Sequence, residues 1–154
     1  MTIEDTITAD LAKRAIDAAG EQAAILGVAV NIAVLDAGAR LKAFVRMDGA
    51  VIGSIELAIG KARTAALFAT TSEAVWDYCK PGAPAHNLEA SNGGLFPFPG
   101  GLPLLSATGT LIGAVGVSGG AVPQDLAIAE AAVAALNGRT NRPETSFTQR
   151  KFIS

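Results

Sequence analysis

The spacing of apolar positions changes character several times along the chain. Ile7, Leu11, Ala15, Ala18, Ala19 and Leu26 recur every three to four residues, with Asp10, Lys13, Arg14, Asp17 and Glu21 on the other faces. This predicts an amphipathic helix that Thr8 can cap and Gly27 ends. Residues 28–35 then form a continuous apolar, β-branched run, a predicted strand in which Asn31 is the odd polar member. The turn sequence Asp36-Ala37-Gly38-Ala39 leads into a second run from Arg40 to Val45, so the two read as a β-hairpin. Helical spacing returns over 51–69, through Ile52, Ile55, Ala58 or Ile59, Ala62, Ala66 and Phe68. Gly53, Ser54, Gly60 and many alanines keep that helix thin, so a neighbour or a ligand can approach its backbone. A short helix is predicted over 72–78, stopped by Pro81.

Residues 81–101 follow no period and hold Pro81, Pro84, Pro97 and Pro99. A connection this long is usually functional or disordered. Its aromatic patch, Leu95-Phe96-Pro97-Phe98, favours an ordered loop or lid with a short strand near Leu95. A second hairpin is predicted from 102–106 and 110–117, and a last helix from Pro123 to the stop at Asn137-Gly138. Helix, hairpin, helices, loop, hairpin and helix in that order predict an antiparallel sheet with helices on its faces, an α/β (α+β) fold. Two hairpins exclude a purely parallel doubly wound sheet.

Composition narrows the function classes. The 154 residues suit one domain, taken as 1–138, with a polar C-terminal tail at 139–154. That tail sets Arg139, Arg142, Arg150 and Lys151 against Glu144 alone, and Phe147, Phe152 and Ile153 suit it to docking on a neighbour. Half the residues are hydrophobic and only 17% are charged, which implies surface buried beyond one subunit's core, hence a homo-oligomer, dimer or higher. A net charge of -2 without a basic cluster before the tail argues against nucleic acid as a partner. The single Cys79 excludes an internal disulfide and a cysteine-built metal site, and no metal-ligand spacing stands out. No signal-like N-terminus and no long charge-free apolar run are present, so no membrane partner is expected and a cytoplasmic location is.

The chemistry-bearing candidates fall around the hairpin-to-helix junction and the late glycines. Arg46 and Asp48 either pair to fix that junction, or Arg46 clamps a carboxylate with its planar guanidinium. Lys61 and Thr64 share a helix face, and Lys61 can bind an anion or act as a base if burial lowers its pKa. Lys61 and Arg63 point to different faces. His86, the only histidine, is a candidate haem ligand or general acid/base. Gly100, Gly101 and Ser118 belong to glycine turns that match no phosphate-binding fingerprint, though backbone amides beside Ser118 can add to an anion site.

Four motifs occur in one order: Arg46-Met47-Asp48-Gly49-Ala50; Lys61-Ala62-Arg63-Thr64-Ala65; Pro99-Gly100-Gly101-Leu102-Pro103; and a glycine-rich final strand closing on Ser118-Gly119-Gly120. This pattern, across residues 7–138, resembles the GlcG/HbpS family of haem-degrading or haem-binding proteins, related to the C-terminal domain of PduO-type cobalamin adenosyltransferases. The resemblance implies a profilin-like α/β/α sandwich around a five-stranded antiparallel sheet, assembly into dimers or larger oligomers, and haem as a candidate cofactor. Two functions follow. The first is a small-ligand-binding protein with its pocket between the 51–69 helix and the 81–101 loop. There Arg46, Asp48, Lys61, Thr64, Gly100, Gly101 and Ser118 would meet haem or another carboxylated molecule, walled by Leu95, Phe96 and Phe98. The second is a cofactor-independent lyase, isomerase or hydrolase in which His86 or Lys61 moves a proton.

Overall fold

The computed structural model of the protein describes residues 5–141. Helix α1 (Ala9–Leu26) starts where the Thr8 hydroxyl accepts the Leu11 N–H at 3.2 Å. It ends at Gly27, whose φ of 73° is a conformation glycine adopts without steric cost. Strands β1 (Asn31–Asp36) and β2 (Leu41–Arg46) form the first hairpin. Its turn is closed by Asp36 Oδ1, which accepts the Gly38 and Arg40 N–H groups at 2.9 and 3.0 Å. Helices α2 (Ser54–Phe68) and α3 (Ser72–Cys79) follow, then a single 3-10 turn at Leu88–Ala90. Strands β3 (Gly101–Leu105) and β4 (Leu111–Ser118) form the second hairpin, and α4 (Val122–Asn141) closes the described chain.

The sheet has four strands in the order β2-β1-β4-β3, all antiparallel. The resemblance implied five, and no strand forms near Leu95. The physical reason lies in that segment itself. Pro97 and Pro99 remove ladder donors, and the backbone there is tied to helices rather than to β3.

Both faces of the sheet are covered. On one face Ile32, Val34, Leu104, Val115 and Val117 pack against alanines of α1 and against Ile128, Ala129 and Ala132 of α4. On the other, Ala33, Leu35 and Ala114 meet Ala58, Ala62, Ala65 and Ala66 of α2. Central strands buried on both faces explain why residues 28–35 read as a continuous apolar run rather than an alternation. Small side chains set the α2 spacing. A Cβ on Gly116 would lie 2.0 Å from the Ala58 carbonyl oxygen, and one on Gly101 would lie 2.2 Å from that of Lys61.

Helix limits depart from expectation twice. α2 begins at Ser54, because residues 50–53 form turns in which Ala50 and Ser54 N–H groups reach the Met47 and Val51 carbonyls. Ile52 therefore stands 70% exposed instead of joining the core. α4 runs past Gly138 to Asn141. One glycine costs a helix only about 1 kcal/mol, and the harder stop in the sequence is Pro143.

Candidate functional site

α2 is buried almost all round, because the sheet lies under it and the 92–101 segment lies over it. Lys61 shows the consequence. It is 3% exposed, and its ammonium donates to the Val117 carbonyl at 2.9 Å and to Asp125 Oδ2 at 3.2 Å. Asp125, on the first turn of α4, is also buried, and its other carboxylate oxygen accepts the Gly120 N–H at 2.8 Å. Burial lowers the Lys61 pKa from its ordinary 10.5, against the opposing pull of the Asp125 charge and hydrogen bond. Gly100 seals the ammonium from above: a Cβ there would fall 3.0 Å from Lys61 Nζ and 2.7 Å from the Val117 carbonyl oxygen. Lys61, Gly100 and Gly101 thus come together, as a buried joint between α2, β3, β4 and α4.

Thr64, one turn on, is fully buried and accepts the Phe96 N–H at 2.9 Å while its hydroxyl donates to the Gly60 carbonyl at 2.8 Å. The Phe96 ring occupies the place of a side chain on Gly60, where a Cβ would sit 2.2 Å from Phe96 Cδ1. Ser72 accepts the Gly101 N–H at 2.9 Å and donates to the Phe98 carbonyl. Arg63 holds the carbonyls of Asn92 and Gly94. The 92–101 segment is therefore packed directly on α2 and pinned at five residues, Asn92, Gly94, Phe96, Phe98 and Gly101. Leu95 turns away into a small cluster with Val75 and Cys79. Of the three apolar residues expected to wall a pocket here, only Phe98, 44% exposed, presents a large free surface. Its ring meets Phe96 edge-on, with centroids 6.4 Å apart.

A second grouping lies across one end of the sheet. Asn31 of β1 is opposite Arg46 of β2 and opposite Ser118 of β4, so the three stand in one row. They share the α2 side of the sheet, because Ala33 opposite Phe44 packs there two residues on. Asn31 is fully buried; its Nδ2 donates to the Val51 carbonyl at 3.1 Å, and its Oδ1 has no hydrogen-bond partner among the described residues. Ser118 is buried at the same end. Arg46 is exposed and makes no ion pair among the described residues, with Asp48 or any other carboxylate. The Asn31–Val51 bond brings exposed Val51 and Ile52 to this row. On the far side of β4, the Gly100 carbonyl accepts the Val117 N–H at 2.9 Å, which brings the Phe98–Gly100 stretch to the same end. Three strands at about 4.8 Å spacing put the outer strands of this row, β2 and β4, about 10 Å apart.

Asp48 is exposed in the turn after β2 and His86 is exposed on the 81–101 loop, separate from the buried Lys61. Asp125 and Arg63 were missed by sequence reasoning as partners. Asp125 gave one signal: a carboxylate in the first turn of a predicted helix that follows Ser-Gly-Gly. Among the described residues no cluster of three or more His, Cys, Asp or Glu side chains can hold a metal ion, and no helix is long and apolar enough to cross a membrane.

The topology and these sites can be set beside known proteins. Residues 7–134 match the family described as haem-degrading protein HbpS-like. The chain belongs to the HbpS-like family. It is 37% identical over 129 residues to a 15.0 kDa protein of the dhaT-dhaS intergenic region of Citrobacter freundii, covering 83% of this chain and 90% of that one. It is 40% identical over 126 residues to the corrinoid adenosyltransferase PduO of Salmonella typhimurium, covering 81% of this chain but 37% of PduO. The chain thus spans little more than a third of the length of PduO. Among solved structures, the PduOC–haem complex superposes with a TM-score of 0.79 at 37% identity, over 84% of this chain and 94% of that one.

Proposed function

We propose that this protein binds a planar, carboxylated small molecule, haem foremost, across the end of the sheet where Arg46, Ser118 and Phe98 lie. The observation that carries the reading is the likeness, at 37% identity, to a domain whose solved structure is a haem complex. The chain's own residues support it. Arg46 offers a guanidinium with no carboxylate partner among the described residues, suited to a bidentate grip on a propionate. Val51 and Ile52 offer apolar surface beside it, 61% and 70% exposed, and Phe98 an aromatic face on the opposite flank. A row about 10 Å wide, flanked by Phe98, is on the scale of a flat macrocycle. When bound, haem would supply redox-active iron; His86 is the imidazole available as an axial ligand, and Asp48 would tune the charge around Arg46.

Lys61 takes no direct part in this reading. Its ammonium is committed to Asp125 and Val117, and with Thr64, Gly100 and Gly101 it holds the wall behind the site. Assembly of subunits is supported by exposed Leu67, Phe68 and Trp76 on α2 and α3. Addition of one equivalent of hemin tests the proposal. A sharp Soret band at stoichiometric ratio is expected. Broad absorbance that rises without saturating would sink the haem reading, and loss of the band in His86→Ala would name the axial ligand.

A further inference from the structure

The chain holds two Asn-Gly steps, Asn92-Gly93 and Asn137-Gly138, and the fold treats them differently. An asparagine side chain followed by glycine is open to attack by the next amide nitrogen, because glycine has no side chain in the way. We infer that Asn92-Gly93 is a site of spontaneous deamidation, gated by the Arg63 guanidinium, whose product loosens the 92–101 segment from α2. The reaction needs only water. The Gly93 nitrogen gives up its proton to solvent and attacks Asn92 Cγ; the Cγ–Nδ2 bond breaks, and Nδ2 takes a proton from water and leaves as ammonia. Water then opens the five-membered imide. Breaking the imide bond to Cγ gives an ordinary aspartate. Breaking the bond to the main-chain carbonyl carbon gives isoaspartate, with the chain running on through Cγ.

Asn92 and Gly93 are both exposed. Asn92 has a φ of 54° and Gly93 one of 74°, and the Gly94 N–H donates to the Ser91 carbonyl at 2.9 Å, so residues 91–94 form a tight turn of type I′. The Gly93 N–H has no hydrogen-bond acceptor among the described residues. Apart from its two chain neighbours, nothing lies within 4 Å of where a Gly93 Cβ would be. The nucleophile is thus unpaired and the space beside it open. Asn92 Nδ2 donates to the Ser91 hydroxyl at 3.0 Å, an exposed bond that water can replace. At Asn137-Gly138 these conditions are reversed. Both residues lie inside α4, Asn137 is half-buried, and a helical N–H at 138 is held by the carbonyl four residues back.

Arg63 is the gate. Its guanidinium donates to the Asn92 carbonyl at 2.5 Å and to the Gly94 carbonyl at 3.4 Å, on either side of the Gly93 nitrogen. The Asn92 carbonyl belongs to the same peptide group as the Gly93 N–H. Closing the imide ring rotates that group out of the turn and onto the Asn92 side chain, which takes the carbonyl off Arg63. Reaction therefore waits for the local openings in which Arg63 lets go. The product cannot return to the starting geometry. Isoaspartate adds one methylene to the main chain between Ser91 and Gly94, so the bond that closes the turn is lost. With it goes the register in which the Phe96 N–H meets Thr64. The change is irreversible and acts once in the life of each molecule.

The test incubates the full chain at mildly alkaline pH and follows both Asn-Gly steps by peptide mapping, with an isoaspartyl methyltransferase to label the isomer. The inference predicts conversion of amide to acid at Asn92, with isoaspartate formed there, while Asn137 stays intact. Arg63→Ala speeds the reaction at Asn92 several-fold, and Arg63→Lys, which keeps a cation at the same place, speeds it less. Asn137 reports on folding in each variant: where it reacts as well, the chain has unfolded, and Arg63→Lys then carries the comparison. Converted protein, separated by its extra negative charge, exchanges the Phe96 amide faster than unconverted protein aged beside it. An Asn92 that reacts no faster than Asn137, a rate indifferent to both Arg63 substitutions, or a Phe96 amide unchanged by conversion would each overturn it.

Discussion

At the residue scale, two positions in α2 decide between competing effects. Gly60 lies in the middle of a helix, where alanine is intrinsically better by about 1 kcal/mol. The Phe96 ring, however, fills the space that a Cβ would need, and the Phe96 N–H is tied to Thr64. Overpacking should win, so Gly60→Ala is expected to lower stability by about 1–3 kcal/mol in urea unfolding. A stabilised variant would show that the ring moves aside freely. Lys61 and Asp125 are a buried pair, and removing one partner leaves the other charge uncompensated. Lys61→Met is expected to cost about 3–5 kcal/mol, with Lys61→Met plus Asp125→Leu costing less than the two single changes together.

The same pair gives a pH dependence. The native pKa of Lys61 lies below 10.5, so between that lowered value and 10.5 the unfolded chain holds more protons than the native one. Unfolding free energy then rises with pH across this window. The cost of burying the ammonium is fully present below it and absent above it. Stability curves of the natural protein and of Lys61→Met should therefore diverge as pH approaches 10.5, the natural protein gaining relative to the variant. A relative loss with rising pH would mean that the attraction to Asp125 outweighs desolvation. These long-range partners are what the sequence hides: Lys61 and Asp125 are 64 residues apart, and a lysine in an alanine-rich helix shows only that some reason exists. Thr8, Gly27 and the Asp36 turn were legible because cap and turn bonds are local.

At the scale of elements, the sequence pattern yields the helices and both hairpins, since each rests on a period and on nearby turn residues. The resemblance implies a fifth strand and the aromatic patch a short strand near Leu95; neither forms among the described residues, and residues 92–101 spend their backbone groups on Arg63, Thr64 and Ser72. Pro97 and Pro99 are the part of this that the sequence shows; three side chains on other elements impose the rest. Arg63→Ala should release the segment without dissolving α2. Amide exchange at residues 92–96 is expected to speed up by about tenfold or more while the sheet amides keep their protection. Uniform exchange across sheet and segment alike would show that the segment is not held separately. The candidate site was half legible on the same grounds. Arg46 and Ser118 stand out by type, but their meeting across Asn31 depends on strand order, which the hairpins alone do not fix.

For the whole molecule, an alanine-lined sandwich presents one sheet end beside Arg46, which has no carboxylate partner among the described residues, and it is there that we propose a carboxylated ligand binds. The most direct measurement is a pair of equilibrium titrations with hemin and with hemin dimethyl ester, whose carboxylates are masked, on the natural protein and on Arg46→Ala. The account predicts that the natural protein prefers hemin by about tenfold, equivalent to about 1.4 kcal/mol, and that Arg46→Ala removes the preference while still binding the ester. Equal preference in both proteins, or no saturable binding of either ligand, would contradict it.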